Sequence, residues 1–129
     1  MDEAKKIRIL IVDDETHIRL MLKTVLTSDN TEIVGMTKNG NEAVELFKEL
    51  KPDITLLDIN MPLKTGEEAL KEIKEQDSNT FVIMLTSVAD GETVEKCIEI
   101  GANTYILKDT PIQEMKEMIN EAWLEYKKG

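Results

Sequence analysis

The sequence predicts one α/β domain, a doubly wound sheet of five parallel strands with five helices packed on its two faces. Three features predict it. Short apolar runs rich in β-branched residues alternate five times with segments of helical periodicity. The connections between them are short, as in chains that cross repeatedly over one sheet. Four of the five runs stop abruptly at polar or charged residues, the pattern of strands whose carboxyl ends line a crevice.

Ile7-Arg8-Ile9-Leu10-Ile11-Val12 opens the series and halts at Asp13-Asp14. A largely continuous apolar run of this kind fits a strand buried on both faces. Ile18, Met21, Leu22, Val25 and Leu26 then share one face of a helix. Glu32-Ile33-Val34-Gly35-Met36 reads as the second strand, and Asn39-Gly40-Asn41 breaks the chain. Ala43, Leu46, Phe47 and Leu50 mark a second helix, which Lys51-Pro52-Asp53 ends because proline cannot continue it. Ile54-Thr55-Leu56-Leu57 is the third strand and again ends on an acid, Asp58. A turn through Met61-Pro62 to Gly66 leads to a third helix placed by Ala69, Leu70 and Ile73. Phe81-Val82-Ile83-Met84-Leu85 gives the fourth strand, ending at Thr86-Ser87. Val94, Cys97, Ile98 and Ile100 give a fourth helix with Gly101 as its C-cap. Thr104-Tyr105-Ile106-Leu107 is the last strand and ends at Lys108. Pro111 suits the first turn of the final helix, along which Ile112, Met115, Ile119, Ala122 and Tyr126 recur.

The chain of 129 residues is long enough for one domain with its own core, and internal repeats, linkers and low-complexity tracts are absent from it, so residues 1–129 read as one domain. No apolar stretch approaches a membrane span, and Met1-Asp2-Glu3-Ala4-Lys5-Lys6 lacks the hydrophobic region of a signal peptide. A lone cysteine, Cys97, cannot form an internal disulfide and suits a reducing compartment. The expected location is cytoplasmic. A formal net charge of −10 repels phosphate backbones, so no nucleic-acid binding is expected of this domain.

The polar strand ends carry the chemistry. If the first, third, fourth and fifth strands are neighbours, Asp13, Asp14, Asp58, Thr86 and Lys108 converge on one crevice. Three carboxylates brought that close repel, and a single lysine offsets only part of their charge. A divalent cation is the remedy, and an all-oxygen donor set favours a hard ion, Mg²⁺ or Mn²⁺. Any one acid, Asp14 above all, could instead be the N-cap of the helix that follows its strand. That explanation does not cover a hydroxyl, a lysine and several acids all at strand ends.

Asp13-Asp14, Leu57-Asp58-Ile59-Asn60-Met61-Pro62, Thr86-Ser87 and Tyr105-Ile106-Leu107-Lys108 together resemble the signature positions of the response-regulator receiver family of two-component signal transduction. In length the chain is most similar to CheY-type single-domain members, and the resemblance covers nearly all of it. The resemblance implies the flavodoxin-like strand order 2-1-3-4-5. It implies that Asp58 accepts a phosphoryl group from the phosphohistidine of a sensor kinase or phosphotransfer protein. Asp14, Asp58 and the Asn60 backbone carbonyl would ligate Mg²⁺ directly, with Asp13 acting mainly through water. Lys108 would pair with the phosphoryl oxygens. Thr86 would hydrogen-bond the phosphoryl group and, with Tyr105, switch the face formed by helix 4, strand 5 and helix 5 toward a downstream target protein. The alternative for Tyr105 is ordinary half-buried packing in a strand, and its spacing to Lys108 favours the switch role. The protein would be a phosphoacceptor rather than an enzyme in the ordinary sense, monomeric or dimerising when phosphorylated.

Three positions depart from the family pattern. Asp109 follows Lys108 where a proline on a cis peptide bond is common, and a cis bond without proline costs about 2.5–4 kcal/mol. Lys64 stands where an apolar residue is usual. Val88, two residues past Thr86, replaces a common polar group and should slow hydrolysis of the acyl phosphate. His17 reads as a solvated residue, Cys97 and most of the seven methionines as core, and Trp123 as a packing residue or a part-exposed partner contact. A receiver belonging to a longer transcription factor or signalling enzyme is the alternative to the single-domain form, which the lack of a linker at Lys127-Lys128-Gly129 favours. A haloacid-dehalogenase-like phosphatase would need an acid where Asn60 stands. A degenerate, phosphorylation-independent module would not need all five key residues.

Overall fold

The computed structural model describes residues 5–87 and 90–129. Its strands are β1 (Ile7–Val12), β2 (Thr31–Thr37), β3 (Ile54–Asp58), β4 (Phe81–Thr86) and β5 (Thr104–Leu107). Its helices are α1 (Thr16–Leu26), α2 (Gly40–Leu50), α3 (Gly66–Gln76), α4 (Gly91–Ile100) and α5 (Ile112–Lys128). All strands pair in parallel in the order β2-β1-β3-β4-β5, as expected for a CheY-like, flavodoxin-like fold.

The two-residue period of the strands builds two cores. Leu10, Val12, Leu57, Val82 and Met84 face one side with Ala43, Phe47, Leu70 and Cys97 from α2, α3 and α4. Ile9, Ile11, Leu56, Ile83 and Leu85 face the other with Leu22, Met115 and Ile119 from α1 and α5. Because both faces of each central strand are covered, runs without polar alternation are what such strands need. The order of connection reverses between β1 and β3, and the carboxyl ends of those strands open a crevice there.

Helix ends follow local chemistry. Asn39 caps α2 by accepting from Glu42 N at 2.8 Å, and Lys51 closes it in the left-handed region ahead of Pro52. Thr65 and Glu68 form a capping box at α3. Gly101, at φ +131°, ends α4. Pro111 sits one position earlier than the sequence suggested: it is the N-cap of α5, and Ile112 is the first helical residue.

Two residues assigned to apolar helix faces are instead exposed, Met21 at 42% and Ile98 at 42%. Each lies one residue, a step of about 100°, from the most buried residue of its helix, Leu22 or Cys97. Met61, Met84 and Met115 are buried, whereas Met118 is exposed. Trp123 packs: its ring meets Phe81 edge-on, with centroids 5.5 Å apart. His17 is exposed and lies 3.5 Å from the Glu15 carboxylate. Among the described residues no peptide bond is cis, and Lys108-Asp109 is accommodated by a turn in which Thr110 N donates to Leu107 O at 3.0 Å. Lys64 finds a partner in Glu72, an ion pair that anchors its ammonium to α3. Val88 lies outside the described residues. No helix among the described residues is long and apolar enough to cross a membrane.

Candidate functional site

The crevice gathers the predicted residues because each ends a strand. β1 delivers Asp13 and Asp14, β3 delivers Asp58, β4 delivers Thr86, and Lys108 follows β5. Lys108 N donates to Thr86 O at 2.8 Å, which extends the β4–β5 ladder by one bond and fixes where the lysine side chain departs. Its Nζ lies 3.0 Å from Asp13 Oδ2 and 3.3 Å from Asp58 Oδ2. Carboxylate oxygens of Asp13, Asp14 and Asp58 lie within 4.8 Å of one another.

Asp13 and Asp58 are buried, and Asp14 is exposed at the mouth. Burial, which penalises the charged form, raises the Asp58 carboxyl from 3.8 to about 7, and the Asp13 charge pushes the same way. Burial likewise raises Asp13, against the pull of the Glu15 amide and of Lys108. For Lys108, burial works against its charge but is outweighed by Glu15, Asp13 and Asp58, which hold the ammonium above its ordinary range. The site as built is therefore rich in acid.

The donor set fits a hard cation. It is all oxygen, and Asp13 Oδ2 is buried with no hydrogen-bond partner beyond its ion pair with Lys108 at 3.0 Å. Two or three carboxylates with one face open to solvent is the arrangement Mg²⁺ uses while retaining water.

Asp14 does not cap α1. The N-cap residue is Glu15, without a side-chain cap, and it is Asp13 Oδ1 that accepts from Glu15 N at 2.8 Å. That bond turns the chain away from β1 and leaves the Asp14 carboxylate beside Asp58 rather than in a cap. Asn60 N donates to Asp58 Oδ1 at 3.2 Å, so the loop after β3 curls back over the acid. Gly66 completes this loop: a Cβ there would lie 2.1 Å from Asp58 O and 2.7 Å from Ile59 Cα. The turn glycine of the sequence is thus required by close approach of α3 to the backbone of Asp58.

Thr86 is buried, and its Oγ donates to Ser87 O at 3.1 Å. Tyr105 does not join the crevice. The residue is 46% exposed and lines a groove of about 650 Å³ between α4 and β5, which Thr86 also lines.

Several participants were not visible as such in the sequence. Glu15 pairs with Lys108 at 2.8 Å, Arg19 donates to Asp13 O at 2.7 Å, and Asp90 accepts from Asn60 Nδ2 at 2.7 Å. Glu15 directly follows the acidic pair, which was a usable signal. Nothing in the sequence links Asp90 to Asn60, thirty positions away.

The chain matches the response regulator receiver domain over residues 9–120. The chemotaxis protein CheY of Thermotoga maritima is 40% identical over 114 residues, covering 88% of this chain and 95% of that protein. A CheY-like receiver domain protein from Methanospirillum hungatei superposes with a TM-score of 0.88 at 28% identity, over 96% of this chain and 98% of that one. A chain in the CheX–CheY–BeF3–Mg²⁺ complex from Borrelia burgdorferi gives 0.85 at 30% identity, over 92% and 90%. With the fold, the acidic crevice and the sequence in agreement, the protein is a CheY-like member of the response regulator receiver domain family.

Proposed function

We propose that this chain is a single-domain response regulator, residues 1–129, that takes a phosphoryl group onto Asp58 from the phosphohistidine of a sensor kinase or phosphotransfer protein. Receivers of this family act in two-component signalling and are not enzymes in the usual sense. The observation that carries the reading is Asp58 itself, a buried carboxylate with an ammonium 3.3 Å away and two further acids within ligand distance.

In the transfer, an Asp58 oxygen forms a bond to phosphorus as the phosphorus–nitrogen bond of the donor breaks, and the imidazole leaves with the electron pair. The nucleophile must be ionised, yet alone it is raised to about 7. Asp13, Asp14, Asp58 and the Asn60 carbonyl would hold Mg²⁺, which when bound neutralises charge on the carboxylates and on the incoming phosphoryl oxygens. Lys108, already at Asp58, is placed to follow the phosphoryl oxygens as they replace the carboxylate charge. Thr86 Oγ, turned to Ser87 O, would rotate to donate to the phosphoryl group, and Tyr105 would follow it inward.

That movement would reshape the groove floored by Val94, Ile98 and Leu107, where a downstream target would dock. Its rim carries Glu95 and Glu99, and Glu114, Glu121 and Glu125 are exposed along α5. A docking segment bearing lysine or arginine suits this face.

The test is intact-protein mass spectrometry after treatment with a small phosphodonor and Mg²⁺. The wild type should gain one phosphoryl mass and Asp58→Asn none. A wild type that stays unmodified would remove the reading.

A further inference from the structure

Asp90 is the N-cap residue of α4, where an aspartate ordinarily accepts from an amide of the first helical turn. Here its side chain makes no such bond. Oδ2 instead accepts from Asn60 Nδ2 at 2.7 Å and from Ser87 Oγ at 3.0 Å. A stabilising cap is forgone for a bridge between two loops distant in sequence.

The bridge adjoins the phosphoacceptor. Asn60 is tied at its other end to Asp58, through its own N–H to Oδ1. Asp58 is 2% exposed, whereas Asn60 is exposed and Asp90 partly so. β3 and β4 are neighbours, with Asp58 paired to Leu85, so a link from residue 60 to residue 90 crosses the carboxyl ends of both strands on the solvent side of Asp58.

We propose that Asp90, holding Asn60 and steadied by Ser87, is a strap that impedes entry of water to the acylated Asp58 and so sets the lifetime of the phosphoryl signal. The proposal rests on Asp58 being the phosphoacceptor. Hydrolysis brings a water oxygen in line on phosphorus. Its bond to phosphorus forms as the bond to the Asp58 oxygen breaks, the carboxylate is regenerated, and inorganic phosphate leaves after the water's proton passes to solvent. Asp90 contributes no group to that step. It is a positioning residue, acting through Asn60.

The test phosphorylates the full chain with a small phosphodonor and Mg²⁺, removes the donor, and follows loss of the added mass. Asp90→Ala should shorten the half-life about fivefold, the factor one hydrogen bond supplies. Asn60→Ala should do the same, and the double variant should decay no faster than either single one, because both remove one interaction. Asp90→Asn keeps an acceptor and should restore most of the lifetime, which a merely structural defect in α4 would not predict. Should Asp90→Ala fail to fold, Asn60→Ala and Asp90→Asn carry the comparison. An unchanged lifetime, additive effects, or Asp90→Asn decaying as fast as Asp90→Ala overturns the strap while leaving the phosphoacceptor intact. A wild type that never gains the mass overturns both.

Discussion

The two ends of β4 are built on opposite terms. At its amino end, Phe81 is buried against Trp123 and Tyr126, with ring centroids 5.5 and 4.8 Å away, and the Tyr126 hydroxyl donates to Asn79 O. At its carboxyl end, five residues on, Thr86 lies beside Lys108 and a set of acids held together against their own repulsion. The strand joins a region whose groups are satisfied to one where charge is concentrated. Apolar packing is concentrated at the first end and charge at the second. The fold can hold Asp58 and Asp13 in a state unfavourable to each because the opposite end of the sheet is anchored by apolar packing.

The largest effect that would sharpen this contrast is loss of Phe81. It is 2% exposed, and its ring is the hub of the aromatic cluster. Phe81→Ala should lower stability by about 3–5 kcal/mol, through lost transfer energy and a residual cavity. A urea titration reads this as a shift in midpoint with little change in slope. A loss under about 1 kcal/mol would mean that the aromatic end is not the anchor.

At the other end the sign should reverse. Asp58 is raised from 3.8 to about 7 by burial first and the Asp13 charge second. A carboxyl whose folded-state value lies above its unfolded one holds its proton more tightly in the fold. The fold therefore loses stability as pH rises from about 4 to about 7, and the deficit persists above that. In the metal-free protein, Asp58→Asn should be the more stable form, by a margin that widens across this window. The upper bound is on the order of 4 kcal/mol, and relaxation around the site should bring it nearer to about 1–2 kcal/mol. Excess Mg²⁺ should stabilise the wild type and narrow the gap. Melting curves at pH 5 and pH 8, with chelator and with Mg²⁺, test both signs. A wild type more stable than Asp58→Asn at pH 8 in chelator would break the comparison.

The same division explains what could be read in advance. The strands were legible because burial on both faces leaves runs without alternation, and the acids were legible because such runs stop where the crevice begins. Asp13, Asp14, Asp58, Thr86 and Lys108 announce themselves as interruptions. Glu15 and Asp90 do not, because they interrupt nothing: they stand among other polar loop residues, and only the fold brings them to Lys108 and Asn60. Met21 and Ile98 were assigned to the core because a periodicity read from residue type alone widens an apolar stripe beyond the arc its neighbours cover. Gly66 was legible as a turn but not as a contact, since the backbone of Asp58 that it touches is a property of packing.

The smallest effect concerns Thr55, midway between the two regimes. It is fully buried on β3, flanked across the sheet by Leu10 and Val82, and its hydroxyl has no hydrogen-bond partner. Thr86, another buried threonine near the site, spends its hydroxyl on Ser87 O. An unpartnered buried hydroxyl costs stability, and valine replaces it with a methyl group of nearly the same shape. Thr55→Val should therefore stabilise the protein by about 1 kcal/mol. The expected sign is what makes the measurement informative. If the denaturation midpoint rises and the rate of the proposed phosphorylation at Asp58 is untouched, the tolerance for unsatisfied polar groups extends three residues below Asp58 without serving it. If the midpoint rises while phosphorylation slows, the hydroxyl belongs to the reactive end, and the boundary between the two halves of the sheet lies lower than the charged residues alone would place it.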